Sequence, residues 1–196
     1  MRVVGILLAA GFSKRFGTNK LLAPLPPGTA EAGTPVAVAA ARHLAEALPE
    51  PLAVVRPRSQ KIAQMIREAG CKTVVCRSAA DGMGTSLATG VRASEDADGW
   101  VIALADMPFI RPETIARIAT ELAEGAAIAA PVCNGERGHP VGFARRFRDE
   151  LLALTGDEGA RRILREHPDW ITQIEVDDPG VLRDVDTPAD LVTGSE

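Results

Sequence analysis

The chain predicts an α/β fold: one domain over residues 1–196, with a mostly parallel sheet flanked by helices. Three observations predict it. Val3-Val4-Gly5-Ile6-Leu7-Leu8-Ala9 is a continuous apolar run that meets a glycine turn at Gly11. Such a run suits a central parallel strand buried on both faces, because a strand with one wet face would alternate with polar residues. Further short apolar runs alternate with amphipathic helical stretches along the chain, which is the rhythm of a parallel sheet with helical crossovers. The composition is also globular, with 46% hydrophobic and 24% charged residues in 196. That is enough chain to bury one core without disulfide or metal staples.

After the first strand, residues 12–34 read as loop, punctuated by Gly17, Pro24, Pro26, Pro27, Gly28 and Gly33. Thr34-Pro35 reads as N-cap and first turn of a helix whose apolar stripe is Val36, Ala40, Leu44 and Leu48. Leu52 to Val55 is a second strand. Ser59 opens a helix carrying Ile62, Met65 and Ile66 that stops at Gly70, and Lys72 to Cys76 is a third strand. The turn Asp81-Gly82-Met83-Gly84 leads into a helix over Thr85 to Ala93, and Trp100 to Leu104 is a fourth strand. Pro112 opens a helix with the stripe Ile115, Ile118 and Leu122, and Gly125 stands just past its end. Ala126 to Val132 is a fifth strand, and Asn134-Gly135 signals a hairpin into Pro140 to Phe143. Helices over 145–154 and 159–166 and a strand over 170–176 complete the pattern. In such a sheet, ligands bind beyond the carboxyl ends of the strands, so the residues after Ala9, Cys76 and Leu104 are the places to search.

Composition removes several classes. Lys+Arg 22 against Asp+Glu 26 gives −4, and aromatics are 4% with no Tyr. Neither a basic nucleic-acid-binding surface nor a base-stacking platform is expected. The first apolar run is far short of the roughly 20 residues that span a bilayer, and it lacks the features of a signal peptide. Cys71, Cys76 and Cys133 form no CxxC pair, which reads as reduced thiols in a cytoplasmic protein. Cys71 and Cys76 suit small buried hydrophobes. His43, His139 and His167 show no metal-ligand spacing.

Three segments have chemistry to offer. Leu8 to Leu21 delivers a glycine turn from a buried strand and then places Arg15 and Lys20 in one loop. Turn N–H groups, an Arg fork and a mobile Lys charge suit a triphosphate better than a solvated surface loop. The spacing is neither that of a P-loop nor that of the GxGxxG fingerprint. Asp106 in Ala105-Asp106-Met107-Pro108 stands at a strand's carboxyl end, placed either to hold a divalent cation or to start a turn before Pro108. Gly82 to Leu87 offers close backbone approach and the Ser86 hydroxyl, with helix capping by Thr85 or Ser86 as the plainer reading. His139, Asp157 and Asp186 read first as structural: a lone His and two helix caps.

Taken together, LAAGFSKRFGTNKLL at 8–22, GMGTSL at 82–87, ADMP at 105–108, RGHPVGF at 137–143, GDEGAR at 156–161 and DVDTPADL at 184–191 resemble the MobA-like NTP transferase family. Within that family they look like the molybdenum cofactor cytidylyltransferases. The resemblance implies a Rossmann-like nucleotidyltransferase domain that moves CMP from CTP to the phosphate of a molybdopterin-type cofactor and releases pyrophosphate. It also implies a nucleotide held by Leu8, Ala9, Ala10, Gly11, Gly82 and Ser86, with Arg15 on the β- and γ-phosphates and Lys20 on the α-phosphate. Asp106 would hold Mg²⁺, with Asp186 a second candidate ligand, and His139, Asp157 and Arg161 would lie on the acceptor side. A molybdoenzyme would receive the product. Ala10, where the guanylyl branch usually carries Gly, favours cytosine. The chain departs from the family at Ala105, often Gly there, at Cys76, often Asn, and in its longer 24–34 link. Transfer with GTP or to another phosphorylated acceptor is the near alternative, and a non-catalytic cofactor-delivery module is the alternative of another class.

Overall fold

In a computed structural model of the chain, residues 1–11 and 19–191 are described. Their elements run β1 (Val3–Ala9), α1 (Val36–Ala47), β2 (Leu52–Val55), α2 (Gln60–Glu68), β3 (Lys72–Val75), α3 (Met83–Arg92) and β4 (Gly99–Leu104). They continue with α4 (Pro112–Ala123), β5 (Ile128–Cys133), β6 (Glu136–Arg137), β7 (Val141–Ala144), α5 (Arg148–Leu152), α6 (Arg161–Glu166) and β8 (Ile171–Glu175). The strands join in the order β3-β2-β1-β4-β7-β5-β6, with β8 added on β5. β3, β2, β1 and β4 are mutually parallel, as β8 is to β5. β7 runs antiparallel between β4 and β5, and β6 antiparallel to β5. The hairpin expected at Asn134-Gly135 is present, with φ of 52° and 78°, the paired positive values a type I′ turn requires.

β1 lies between β2 and β4 and is buried on both faces, as its unbroken apolar run demands. Leu7 and Ala9 pack with Ala40 and Leu44 of α1 and with Ile115 and Ile118 of α4. Val4 and Ile6 pack with Leu87 and Val91 of α3, Leu151 of α5 and Ile163 of α6. Each fully buried aliphatic side chain contributes about 1.5–3 kcal/mol. The two-sided strand therefore gains enough to fix its central place without help from local propensity. Trp100 on β4 is wholly buried in the second layer, where its indole N–H donates to Ser94 Oγ at 3.0 Å. The three cysteines are buried and unbridged, and burial pushes the Cys71 thiol up to about 12. No helix among the described residues is long and apolar enough to cross a membrane.

Several local expectations shift. α1 starts at Val36 with Pro35 as its extended N-cap, not with Thr34 as cap. The cause is a clasp over residues 23–36: Leu25 N–H donates to Thr34 O, Gly33 N–H to Leu25 O and Val36 N–H to Ala23 O. It holds the chain extended as far as Pro35. α3 begins at Met83, because Gly82 turns the chain at φ +113° and stands as N-cap, so neither Thr85 nor Ser86 caps it. Ser59 occupies the N-cap position of α2, but its hydroxyl donates to Arg56 O. The helices expected over 145–154 and 159–166 contract to α5, preceded by a 3₁₀ turn, and α6.

The segment after β8 is fastened by one buried carboxyl. Asp178 accepts from Arg111 N–H at 2.9 Å and Thr114 Oγ1 at 2.7 Å, at the start of α4, and from Gly180 N–H at 3.1 Å. Next to it, a Cβ on Gly180 would stand 2.1 Å from Phe109 O, so only glycine lets the two backbones meet. Replacing Asp178 with Ala strands three donors, two of them backbone, with no buried acceptor. Asp178→Ala is expected to lower unfolding free energy by about 3 kcal/mol in urea titrations, and Asp178→Asn by less. A loss under about 1 kcal/mol for Asp178→Ala would show that the clip is dispensable.

Candidate active site

The carboxyl ends of β1 and β4 and the turn before α3 open onto a cleft of about 470 Å³. Leu8, Ala10 and Gly11 line it from β1, and Leu104 and Asp106 from β4. Ala79, Ala80, Gly82, Met83 and Ser86 line it from the segment leading into α3, and Lys20, Leu21, Asp157 and Asp186 complete it. It lies where the topology of a parallel sheet places ligand sites. Ala9 points the other way, into the core with α1, because neighbouring residues on a strand face opposite sides. Arg15 lies outside the described residues.

Three segments far apart in sequence meet at one charge cluster. Lys20 opens a 3₁₀ turn over Lys20–Leu22, where Leu21 N–H donates to Asn19 Oδ1. Its Nζ lies 2.7 Å from Asp106 Oδ2 and 2.7 Å from Asp186 Oδ1. Asp106 is carried by β4: Ala105 N–H donates to Leu8 O, which prolongs the β1–β4 pairing past the end of the strand. Val185 N–H donates to Asp106 O at 2.8 Å, and Val185 is fully buried against Leu25, Val36 and Ala39. Asp186 is therefore held by backbone and packing on both its neighbours' sides. The Asp186 carboxylate, expected as a cap, turns to Lys20, while Asp190, inside the 3₁₀ turn Pro188–Leu191, reaches back so that its Oδ2 accepts from Asp186 N–H, Thr187 N–H and Thr187 Oγ1. Those bonds hold the Asp190 carboxyl below its usual range.

Burial alone would lower the Lys20 pKa, but the hydrogen bonds and charges of Asp106 and Asp186 outweigh it and raise it. The Lys20 side chain is only 13% exposed, so its attraction to the two carboxylates is poorly screened. Asp184 is a third carboxyl of this cluster that spacing did not single out. Burial, then repulsion from Asp186, pushes its pKa up. The signal was available in Asp184-Val185-Asp186, since residues two apart on an extended segment share a side. Among the described lining residues, carboxylates outnumber cations, so a triphosphate entering this cleft requires added positive charge. The donors are hard oxygens, and two of them converge on a single point now held by an ammonium. That chemistry suits Mg²⁺ or Mn²⁺ and not a thiolate-seeking metal.

On the far side, the backbones of the 82–84 and 155–157 segments touch. Gly84 N–H donates to Gly156 O at 2.8 Å, and a Cβ on Gly82 would lie 2.3 Å from the Gly156 carbonyl. Met83, 45% exposed, packs its sulfur over Gly159. Asp157 faces the cleft, and Ser86 is buried with its hydroxyl 3.5 Å from Gly82 O. Arg161 begins α6, exposed and outside the cleft lining, but its charge reaches His139. His139 is tied by its N–H to Val181 O, and its Nδ1 is buried with no hydrogen-bond partner among the described residues. His167, which spacing left unassigned, sits away from the cleft with Nε2 3.1 Å from Glu150 Oε2 and its ring edge-on to Phe147.

Comparison with known proteins agrees with this geometry. The profile of the MobA-like NTP transferase domain matches residues 5–170. The purine catabolism protein PucB of Bacillus subtilis (strain 168) is 30% identical over 197 residues, covering 95% of this chain and 92% of that protein. Nicotine blue oxidoreductase of Paenarthrobacter nicotinovorans is 29% identical over 193 residues, covering 94% and 92%. Among solved structures, the manganese complex of Rv0371c from Mycobacterium tuberculosis H37Rv superposes with a TM-score of 0.76 at 26% identity, covering 97% of this chain and 96% of that one.

Burial lowers the His139 pKa; Asp106 opposes the shift, while Arg161 and Arg137 add to it. The ring is accordingly neutral at pH 7. The unfolded chain takes up this proton near the ordinary value of about 6.5, the folded chain only at lower pH. The stabilisation is complete above that ordinary value and is lost as pH falls toward the depressed one. His139→Gln should therefore flatten the decline of urea-unfolding stability below about pH 6.5. A slope identical to that of the unsubstituted protein would remove His139 from the pH response.

Proposed function

The chain belongs to the MobA-like NTP transferase family, and we propose that its reaction is cytidylyl transfer from CTP to the terminal phosphate of a molybdopterin-type cofactor. An oxygen of the acceptor phosphate bonds to the α-phosphorus of CTP, the bond from that phosphorus to the bridging oxygen breaks, and pyrophosphate leaves with the electron pair. The reading rests above all on the convergence of Lys20, Asp106 and Asp186 at the carboxyl ends of the strands, beside the Ala10–Gly11 turn.

Asp106 and Asp186 would hold a divalent cation, Mg²⁺ by the family's chemistry, which when bound neutralises phosphate charge. The Mn²⁺ complex of the 26% identical Rv0371c supports a divalent metal in relatives of this fold. Lys20 supplies a mobile positive charge for the α-phosphate, and Arg15 supplies one for the β- and γ-phosphates. Ala10 and Gly11 present the backbone turn at the nucleotide. Ala10, where the guanylyl branch usually carries Gly, adds a methyl group to the cleft lining, and the narrower wall favours the compact pyrimidine over guanine. His139, Asp157 and Arg161 form the acceptor side, and a neutral His139 can accept or donate a hydrogen bond there without adding charge. Catalysis of this kind is positioning plus charge neutralisation, with no covalent protein intermediate. One named relative is an oxidoreductase, so the test must read phosphoryl chemistry directly.

Purified protein given CTP, Mg²⁺ and a molybdopterin-type acceptor should release pyrophosphate and yield a cytidylylated acceptor, with GTP a poorer donor. Asp106→Asn and Lys20→Ala are each expected to lower the rate by about 10²–10³ while leaving the thermal unfolding transition cooperative. Equal rates with GTP overturn the base assignment. No transfer with either nucleotide, beside an active control enzyme, overturns the acceptor. Asp106→Asn with full biological activity would favour a delivery module.

A further inference from the structure

Lys20 stands where a cation would. Its Nζ makes 2.7 Å contacts to Asp106 Oδ2 and Asp186 Oδ1, so both oxygens aim at one point, and that point holds the ammonium. The two carboxylates are anchored by backbone: Asp106 through the β1–β4 ladder and Val185 N–H, Asp186 through the turn closed by Asp190. Lys20 reaches them on a flexible four-carbon stem from a single 3₁₀ turn. The pair is therefore fixed, and its counter-ion is the part able to move. Asp184 adds a third carboxyl to the same neighbourhood, so loss of the ammonium with nothing in its place would leave like charges facing each other in a half-buried cleft. An ammonium and a divalent cation on one pair of oxygens would in turn repel each other at contact distance.

We infer that the Lys20 ammonium and a divalent cation are alternative occupants of the Asp106–Asp186 carboxylate pair, so that cation binding is what releases Lys20 into the cleft. The inference rests on the metal-dependent reading given above and deepens it. One lysine thereby holds two posts in succession. Before the cation arrives it cancels the repulsion of the carboxylates and keeps the β4 end and the tail together. Once displaced, it carries its positive charge into the cleft beside the Ala10–Gly11 turn. Lysine suits this exchange because its charge is compact and its stem flexible, whereas a guanidinium fork would be held by two directed bonds.

The test uses Mn²⁺ alone, without nucleotide, on the full chain. Free Mn²⁺ is followed by its electron paramagnetic resonance signal for the unsubstituted protein, Lys20→Met and Asp106→Asn. Lys20→Met, which removes the competitor, is expected to bind Mn²⁺ about tenfold more tightly. Asp106→Asn is expected to bind it more weakly than the unsubstituted protein. A second measurement needs no substitution: acylation of Lys20 by an amine reagent, read by mass spectrometry, should rise severalfold when Mn²⁺ is added. If Lys20→Met does not fold, as judged by circular dichroism, the acylation result decides. Mn²⁺ binding that Lys20→Met leaves equal or weaker, with Lys20 acylation unchanged by Mn²⁺, overturns the exchange while leaving the metal site in place. Mn²⁺ binding to neither the unsubstituted protein nor Lys20→Met overturns the exchange and the metal-dependent reading together.

Discussion

The ion cluster of Lys20, Asp106 and Asp186 joins segments separated by 86 and 166 residues. It forms only if the sheet, the loop after β1 and the C-terminal tail all arrive in register. The β1–β4 pairing carries Asp106 to the cleft floor. The Asp178 clip and the buried Val185 bring the tail back across the same edge. Much of the packing outside the cleft can be understood as the scaffold for that meeting. The core layers hold β1 and β4 side by side, and the glycine at 180 lets the returning chain lie against Phe109.

The electrostatics of the cleft follow from the same convergence. Carboxyls at 106, 157, 184 and 186 gather around the carboxyl ends of the strands, and the protein answers them in three ways. A partly buried ammonium sits on two of them. Backbone and hydroxyl donors hold Asp190 nearby in its charged form. Burial keeps the neighbouring imidazole of His139 neutral. An overall charge of −4 therefore says little about the local field. What matters for a phosphate-bearing ligand is a fixed anionic pair whose counter-charge is carried on a flexible stem.

The parallel half of the sheet was legible from its apolar runs, since β1, β2 and β4, buried on both faces, have few polar positions to disguise them, and the edge strand β3 still carries Val74 and Val75. β1, β2, β3 and β4 lie where their apolar runs place them. The Asn134-Gly135 hairpin was equally plain, because so few residue pairs accept two positive φ values. The pairing of β7 with β4 was not, because it depends on contacts distant in sequence and no local pattern encodes it. Asp106 was found by its place after a strand, but Asp186, which spacing reads as a helix cap, turns to Lys20, and Asp190 closes the turn. Both are acids in one short turn, and only the fold decides which one turns inward to Lys20. Asp184 escaped notice among the acids of a charged, proline-containing tail, although its place two residues before Asp186 sets both on one side. Residues carried over by family resemblance, Gly82, Ser86 and Asp157 among them, do meet at the cleft. Spacing alone would have left them as turn and cap.

The glycine contact between residues 82–84 and 155–157 constrains how this scaffold can diverge. The two turns bear on each other through bare backbone, Gly84 N–H on Gly156 O, with no side chain between them to absorb a change. A replacement or insertion in either turn must displace the other. The wall beside the turn into α3 and the wall bearing Asp157 are thus mechanically one piece. Altered ligand preference in this chain would require paired changes in both turns, so that recognition on the two sides of the cleft drifts in concert.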